Sequence, residues 1–442
     1  MLNWVLRFFP LFLLLPFLVC AQGYTLPDNQ KFEKIRFQLI NNLIVIPIDV
    51  NGTELSFVLD SGVSTPILFN LSNQDSLELR NVSEITINGL GEGEPISALS
   101  SKGNFFKLGN VQNLSQKLYV VMDAGINFSP SLGVPIHGII GYDLFRDFIV
   151  DINYSSNTIK FYNPESDGPR LGNQYETLQV DLINRKTYLD ASVSLKGVEN
   201  IPVKMLLDTG SSDAIWLFED ERIQLPQEYY EDYLGKGLAG DIYGKRTKVE
   251  GIKIGGFELS DAKAAFPDML SFSTIKDLGN RNGSLGGEVL KRFNIVFNYP
   301  NGSISLRKNA NFKKPFHYNV SGIDLQHAGV RYVSERIADI NGVVINSERT
   351  YGNVQILLEG ATRLSLVPEI VVSGIRFGSP AHSAGLQEGD IILAVNGKRI
   401  HRYKIQEIME MLNEKEGKRV KVLVERAHNN LLFSFVLKDL FK

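Results

Sequence analysis

Two short stretches of this chain set a carboxylate at the end of an apolar run and directly before a tight polar turn. In Lys204 to Phe218, residues Met205, Leu206 and Leu207 predict a short buried strand. Asp208 follows it, and Thr209-Gly210-Ser211-Ser212 supplies turn chemistry. Leu55 to Phe69 repeats the design: an apolar run, Asp60, then Ser61-Gly62-Val63-Ser64 and a second apolar run. A nearly buried carboxylate needs hydrogen bonds or a charge partner to stay ionised, because desolvation raises its pKa. Small hydroxyl residues and glycines, whose backbone can come close, are what such a site requires. Two copies imply two facing carboxylates. Such a pair holds one proton between its members and can serve as general acid and general base together.

The surroundings repeat as well. Ile139-Ile140-Gly141-Tyr142-Asp143 follows the first Asp, and Leu285-Gly286-Gly287-Glu288-Val289 follows the second. Each comes roughly eighty residues after its Asp, the mark of an internal duplication. Each is trailed by a hairpin pattern, Ile149 to Tyr162 turning near Ser155-Ser156-Asn157, and Ile295 to Leu306 turning at Asn301-Gly302. The Asn51-Gly52 pair predicts a hairpin that delivers Asp60 to its turn. Glycine-rich segments follow both Asp motifs, Asn88 to Gly93 and Gly235 to Gly244. They have the composition of hairpins closing over a cleft, with Gly91, Gly93, Gly240 and Tyr243 as residues to meet a substrate.

The paired Asp-Ser/Thr-Gly motifs with matching downstream glycine segments resemble the bilobal aspartic peptidases, pepsin-like and retropepsin-like, over about residues 35 to 310. That resemblance implies a mainly β fold of two related lobes. It implies Asp60 and Asp208 as the catalytic pair, supported by Ser61, Gly62, Ser64, Thr209, Gly210 and Ser212, with neither metal nor cofactor. Ser64 and Ser212 are candidates to hydrogen-bond the outer carboxylate oxygens. Glycine in both hairpins favours a two-flap, retropepsin-like arrangement in one chain. Protein or peptide chains would be its substrates.

A third module begins past a joint near Asn309 to Pro315. Gly378 to Gly397 resembles a PDZ domain of the kind found in secreted bacterial proteases, β-rich with two helices. Pro380 suits a helix start, Gly385 its cap, and Ile405, Ile408, Met409 and Leu412 share one helical face. The resemblance implies a groove binding peptide C-termini through backbone amides, with Ser321, Gly322 and Ile323 as the carboxylate-binding residues. The expected boundaries are lobe 1 at 32–162, a linker at 163–175, lobe 2 at 176–310 and the PDZ domain at 317–442, with an insertion near 330–366.

The start of the chain is expected to be an export signal. Arg7, the apolar run Phe8 to Val19 and Val19-Cys20-Ala21 fit a signal peptide over 1–21, which places the mature chain in the periplasm or outside the cell. No stable membrane span is expected after cleavage. Lipid anchoring at Cys20 is the lesser alternative, since Val19 is a poor neighbour for it. A formal net charge of -3 with 21% charged residues leaves no basic face for nucleic acid. His137 and His382 lack partners at ligand spacing and are expected to be structural, while Asp147 and Asp151 are expected to be solvated. A binding protein that keeps the fold and works through its PDZ groove is the alternative to an enzyme.

Overall fold

The computed structural model describes residues 23–71, 77–123, 125–273, 278–336, 362–438 and 440–441. The expected signal segment 1–21 with Cys20, and residues 337–361 of the expected insertion, lie outside them. The fold is mainly β. Two similar lobes are followed by a PDZ domain.

Each lobe is an eight-stranded sheet with the same topology. In the first the strands run Gln38–Ile40, Leu43–Val50, Thr53–Leu59, Gly138–Ile140, Ile67–Leu68, Val111–Val121, Ile96–Leu108 and Ser83–Ile87. In the second the order is Asp181–Ile183, Lys186–Leu195, Val198–Leu207, Gly283–Leu285, Ile215–Leu217, Phe257–Pro267, Gly240–Ile254 and Tyr229–Gly237. Asn51 and Gly52 both adopt positive φ (51° and 92°), the mirror-image turn that joins two right-twisted strands tightly.

The apolar-glycine segments thread between the strands carrying the acidic residues. Gly138–Ile140 lies parallel to Thr53–Leu59, with Leu59 opposite Ile140. Gly283–Leu285 lies parallel to Val198–Leu207, with Leu207 opposite Leu285. Ile140 is therefore the counterpart of Leu285, one residue away from the alignment that the sequence pattern suggests. Glycine is required just beyond. A Cβ on Gly141 would lie 1.7 Å from the Asp60 carbonyl oxygen, and one on Gly286 2.3 Å from that of Asp213.

The lobes share a six-stranded sheet in the order Phe32–Arg36, Thr158–Tyr162, Ile149–Asn153, Phe293–Asn298, Ser303–Lys308, Glu176–Gln179. Its central seam pairs Ile152 of lobe 1 with Ile295 of lobe 2. One apolar cluster runs through both lobes and this sheet, from Leu59 and Phe145 to Phe297 and Leu207, all almost wholly buried. Burial on this scale is what holds two half-sites in fixed register. Asp147, expected to be solvated, instead accepts from the Tyr24 amide and from Arg146, tying the start of the described chain to lobe 1.

The PDZ domain has its own core around Ile323, Ile392, Ile408 and Val422. Ser379 caps the Pro380–Ala384 helix by accepting from the His382 amide, and Gly385 closes it in the left-handed region at φ 92°. The expected insertion begins as an extension of the sheet, because Ile323–Arg336 and Thr362–Ile375 pair along their whole length, down to Arg336 opposite Thr362. The joint ahead of this domain is pinned. Arg292, 2% exposed, donates to the carbonyls of Asn311, Phe312, Lys314 and Pro315 and lies 3.7 Å from the Phe316 ring centroid.

Candidate active site

The two Asp turns meet where the lobes face each other. Asp60 and Asp208 each leave a strand end through a backbone hydrogen bond to the threaded segment, Asp60 N to Ile140 O (2.7 Å) and Asp208 N to Leu285 O (3.0 Å). Below them the turns clasp each other through four buried bonds. The Ser61 hydroxyl donates to Leu207 O (2.7 Å) and accepts from Thr209 N (3.1 Å). The Thr209 hydroxyl donates to Leu59 O (2.7 Å) and accepts from Ser61 N (2.9 Å). Each lobe thus positions the acidic residue of the other, which explains a small hydroxyl residue directly after each Asp.

The glycines of the motif admit the carboxylates. Gly62 N donates to Asp60 Oδ1 (2.7 Å) and Gly210 N to Asp208 Oδ1 (3.0 Å). A Cβ on Gly210 would stand 2.2 Å from Asp60 Cγ, so the carboxyl group from lobe 1 rests against the turn of lobe 2. Neither the Ser64 nor the Ser212 hydroxyl bonds a carboxylate among the described residues; Ser212 instead offers its carbonyl to Asn42 Nδ2 (2.7 Å).

Burial raises the pKa of Asp60 well above the ordinary carboxylate range, and the neighbouring charge of Asp208 adds to it. Asp208 is raised too, again by burial. It is restrained by the charge of Arg281, by the Gly210 and Ser211 amides and by Lys186. Like charges this close do not ionise together, so the pair keeps one proton. Lys186 and Arg281 were not singled out in the sequence. Lys186 opens a strand after Asn184 and Arg185, and Arg281 stands between Asn280 and Asn282, so the local sequence of neither marks a cation beside the dyad.

The tips of the two glycine-rich segments touch each other. Gly93 N donates to Ala239 O (2.6 Å) and Ala239 N to Leu90 O (2.8 Å). The tips exchange side chains. Leu90 of the first hairpin packs on the lobe 2 cluster of Trp216, Phe218 and Ile242, and Leu238 of the second packs on the lobe 1 cluster of Val58 and Phe69. Gly91 (φ 126°) and Gly240 (φ 122°) bend the tips, and a Cβ on Gly93 would fall 2.2 Å from Ala239 O. Tyr243 does not face the cleft. It lies 47% exposed on the outer side, its ring 5.7 Å from that of Tyr233. Strand alternation turns its neighbour Ile242, 3% exposed, inward.

His137 is structural, its Nδ1 accepting from Ser56 N (3.0 Å). Among the described residues no cluster of acidic, histidine or cysteine side chains could hold a metal ion. Lobe 2 also contains a buried ion network, in which Arg246 donates to Asp213 and Asp232 (both 2.7 Å). Burial works against the Asp213 charge, but Arg246 and Lys263 outweigh it and hold its pKa at about 2.

The PDZ amides expected to bind a carboxylate are already engaged. Ser321 N donates to Asn413 Oδ1 (2.9 Å), Gly322 N to Asn319 Oδ1 (2.9 Å) and Ile323 N to Ser321 Oγ (3.3 Å). The far end of the groove, between Ile323–Arg336 and the helix Ile405–Leu412, holds a piece of lobe 1. Gln406 Nε2 donates to Leu132 O (2.9 Å), and Gly133 packs so closely that a Cβ there would be 2.9 Å from Ile405 Cγ2. On the other side Arg376 stands 4.4 Å over the Tyr230 ring of lobe 2, and the Phe441 ring lies 5.9 Å from that of Tyr230, tilted by 36°.

The family matches agree with this architecture. Residues 46–144 and 191–289 match the aspartyl protease family, and residues 371–426 match the PDZ domain family. The chain is a two-lobed aspartyl protease family member with a C-terminal PDZ domain. The crystal structure of an aspartic proteinase from Irpex lacteus covers 64% of this chain and 99% of its own, at 13% identity and a TM-score of 0.41. Two 4-diphosphocytidyl-2-C-methyl-D-erythritol kinases, from Wolbachia sp. subsp. Drosophila simulans (strain wRi) and Wolbachia pipientis wMel, are 39% identical over 66 residues. That stretch is 14% of this chain, which spans 22% of the length of these curated relatives.

Proposed function

We propose that this chain is an exported aspartic endopeptidase that hydrolyses peptide bonds with a water held between Asp60 and Asp208. The observation carrying this reading is the pair itself: two carboxyls within hydrogen-bonding reach of each other, each fed by a glycine amide and fixed by the opposite lobe. The unequal surroundings divide the work. Asp208 receives two amides and the field of two cations, which favours its charge, so it takes the proton of the attacking water. Asp60 keeps the shared proton and gives it to the scissile amide. The touching hairpins would part to admit an extended chain and then close on it, excluding water.

The PDZ domain serves in this reading as a brace between the lobes. Occupied loop amides and a groove holding Leu132 and Gly133 support that role over capture of free peptide termini, and they weaken the case for a pure binding protein. The test is digestion of an unfolded protein from pH 3 to 7, comparing wild type with Asp60→Asn and Asp208→Asn, each checked for native melting. Wild type should cleave and be blocked by a pepstatin-type inhibitor, with each variant losing about three orders of magnitude or more, an acid or base role at its upper end. Equal cleavage by wild type and both variants would sink the proposal.

A further inference from the structure

The two halves of the cleft share a backbone plan but not a chemistry. Two residues past the Val45–Val58 pair, the strand ladder of lobe 1 sets Leu43 opposite Asp60. Two residues past Tyr188–Leu206, the ladder of lobe 2 sets Lys186 opposite Asp208. A second equivalence comes from the threaded segments, where Phe69 N donates to His137 O and Phe218 N to Asn282 O, both at 2.7 Å. The residues just before those acceptors are Ile136 in lobe 1 and Arg281 in lobe 2. So Leu43 and Ile136, 8% and 0% exposed, are matched by a lysine and an arginine.

Both cations act on the dyad through their field, yet neither sits in a salt bridge among the described residues. Among the described residues no carboxylate lies within ion-pair distance of either, and both are half-buried. The Arg281 guanidinium stacks 5.1 Å over Phe218 and 5.6 Å over Phe272, with its Nε buried and without a hydrogen-bond partner. The acidic groups felt by Lys186 are the two of the dyad, and Arg281 lowers its pKa further, second to burial. Two desolvated like charges side by side destabilise the empty cleft, and an incoming carboxylate relieves that cost.

Resting on the peptidase reading, we propose that Lys186 and Arg281 form an anion-accepting subsite, so that the enzyme selects an Asp or Glu side chain on the lobe 2 side of the scissile bond. The lobe 1 side, with Leu43 and Ile136 at the equivalent positions, takes an apolar residue. Arg281 supplies a planar fork suited to bidentate contact with a carboxylate, and Lys186 a point charge beside it.

The experiment uses the full chain and peptides of otherwise apolar sequence, in which each of the three positions on either side of the cleaved bond is in turn Glu or Gln. At one position or two, all on one side, wild type should show a Glu/Gln ratio in kcat/KM of about ten or more, as expected of a charge-assisted pair. In a Lys186→Met/Arg281→Met variant the ratio should fall towards one, and a Lys186→Glu/Arg281→Met variant should instead prefer Lys over Gln there. If wild type cleaves these peptides with a ratio near one everywhere, or if the double variant keeps the ratio, the subsite is refuted while the peptidase reading stands. If no peptide of the set is cleaved, both fall.

Discussion

Thr209→Val removes one hydroxyl and keeps the volume, so it isolates the clasp between the two Asp turns. Two of the four bonds vanish, the donation to Leu59 O and the acceptance from Ser61 N. Thr209 is 1% exposed and Ser61 is fully buried, so no water replaces the lost partner. An unsatisfied buried donor or acceptor costs about 1–3 kcal/mol, which makes the expected loss about 2–6 kcal/mol, centred near 4. Urea unfolding at pH 6 followed through Trp216 reports it directly, since that indole donates to Asp213 Oδ2 (2.8 Å) inside lobe 2. Cleavage should fall more steeply than stability, because a relaxed turn misplaces both carboxyls at once. A change under about 1 kcal/mol, the value of an ordinary solvated hydrogen bond, would show that the clasp does not hold the lobes.

Three further outcomes are expected. Gly93→Ala drives a Cβ into the Ala239 carbonyl and should part the hairpin tips; hydrogen exchange at Gly93 and Ala239 should speed up at least tenfold with the melting temperature within a few degrees of wild type. Burial, then the charge of Asp232, raises the Asp324 pKa to about 6. The folded state therefore binds the extra proton between about pH 4 and 6, and stability falls as pH rises through that window, by up to about 3 kcal/mol from this group. Asp324→Asn should remove that slope, measured as the wild-type-minus-variant difference in unfolding free energy at pH 4 and 7.5. Arg246→Met takes from buried Asp232 its cation and leaves Asp213 only the more distant Lys263 (3.5 Å), and should cost about 3–5 kcal/mol in the same assay.

Most of the site's framework was legible because it is local. An acidic residue after an apolar strand, a small hydroxyl and a glycine can be seen within four residues, and their duplication shows over eighty. The clasp between Ser61 and Thr209 was half-visible: residue types flagged both, but which hydroxyl did the work depends on contacts 148 residues apart. Tyr243 was misplaced because hairpin composition does not say which face looks inward; one residue of alternation decides it. The one-residue shift between Ile140 and Leu285 has the same origin, since apolar-apolar-glycine patterns slide without changing character. Lys186 and Arg281 were invisible, because a cation beside a carboxylate pair is a product of the fold. The closed PDZ loop was hidden likewise. Asn319 and Asn413 are unremarkable in sequence and decisive only once their side chains reach the amides of Ser321 and Gly322.

The six-stranded sheet that joins the lobes sets how such a site can be switched. Were the two acidic residues on separate chains, dilution would silence them and crowding would wake them. Here strands Ile149–Asn153 and Phe293–Asn298 belong to one polypeptide, so the encounter of the half-sites is intramolecular and independent of how much protein is present. On the peptidase reading, copy number sets the amount of activity rather than its onset. On the same reading, the hydrogen-bonded hairpin tips are then a barrier that a substrate chain has to part within each molecule.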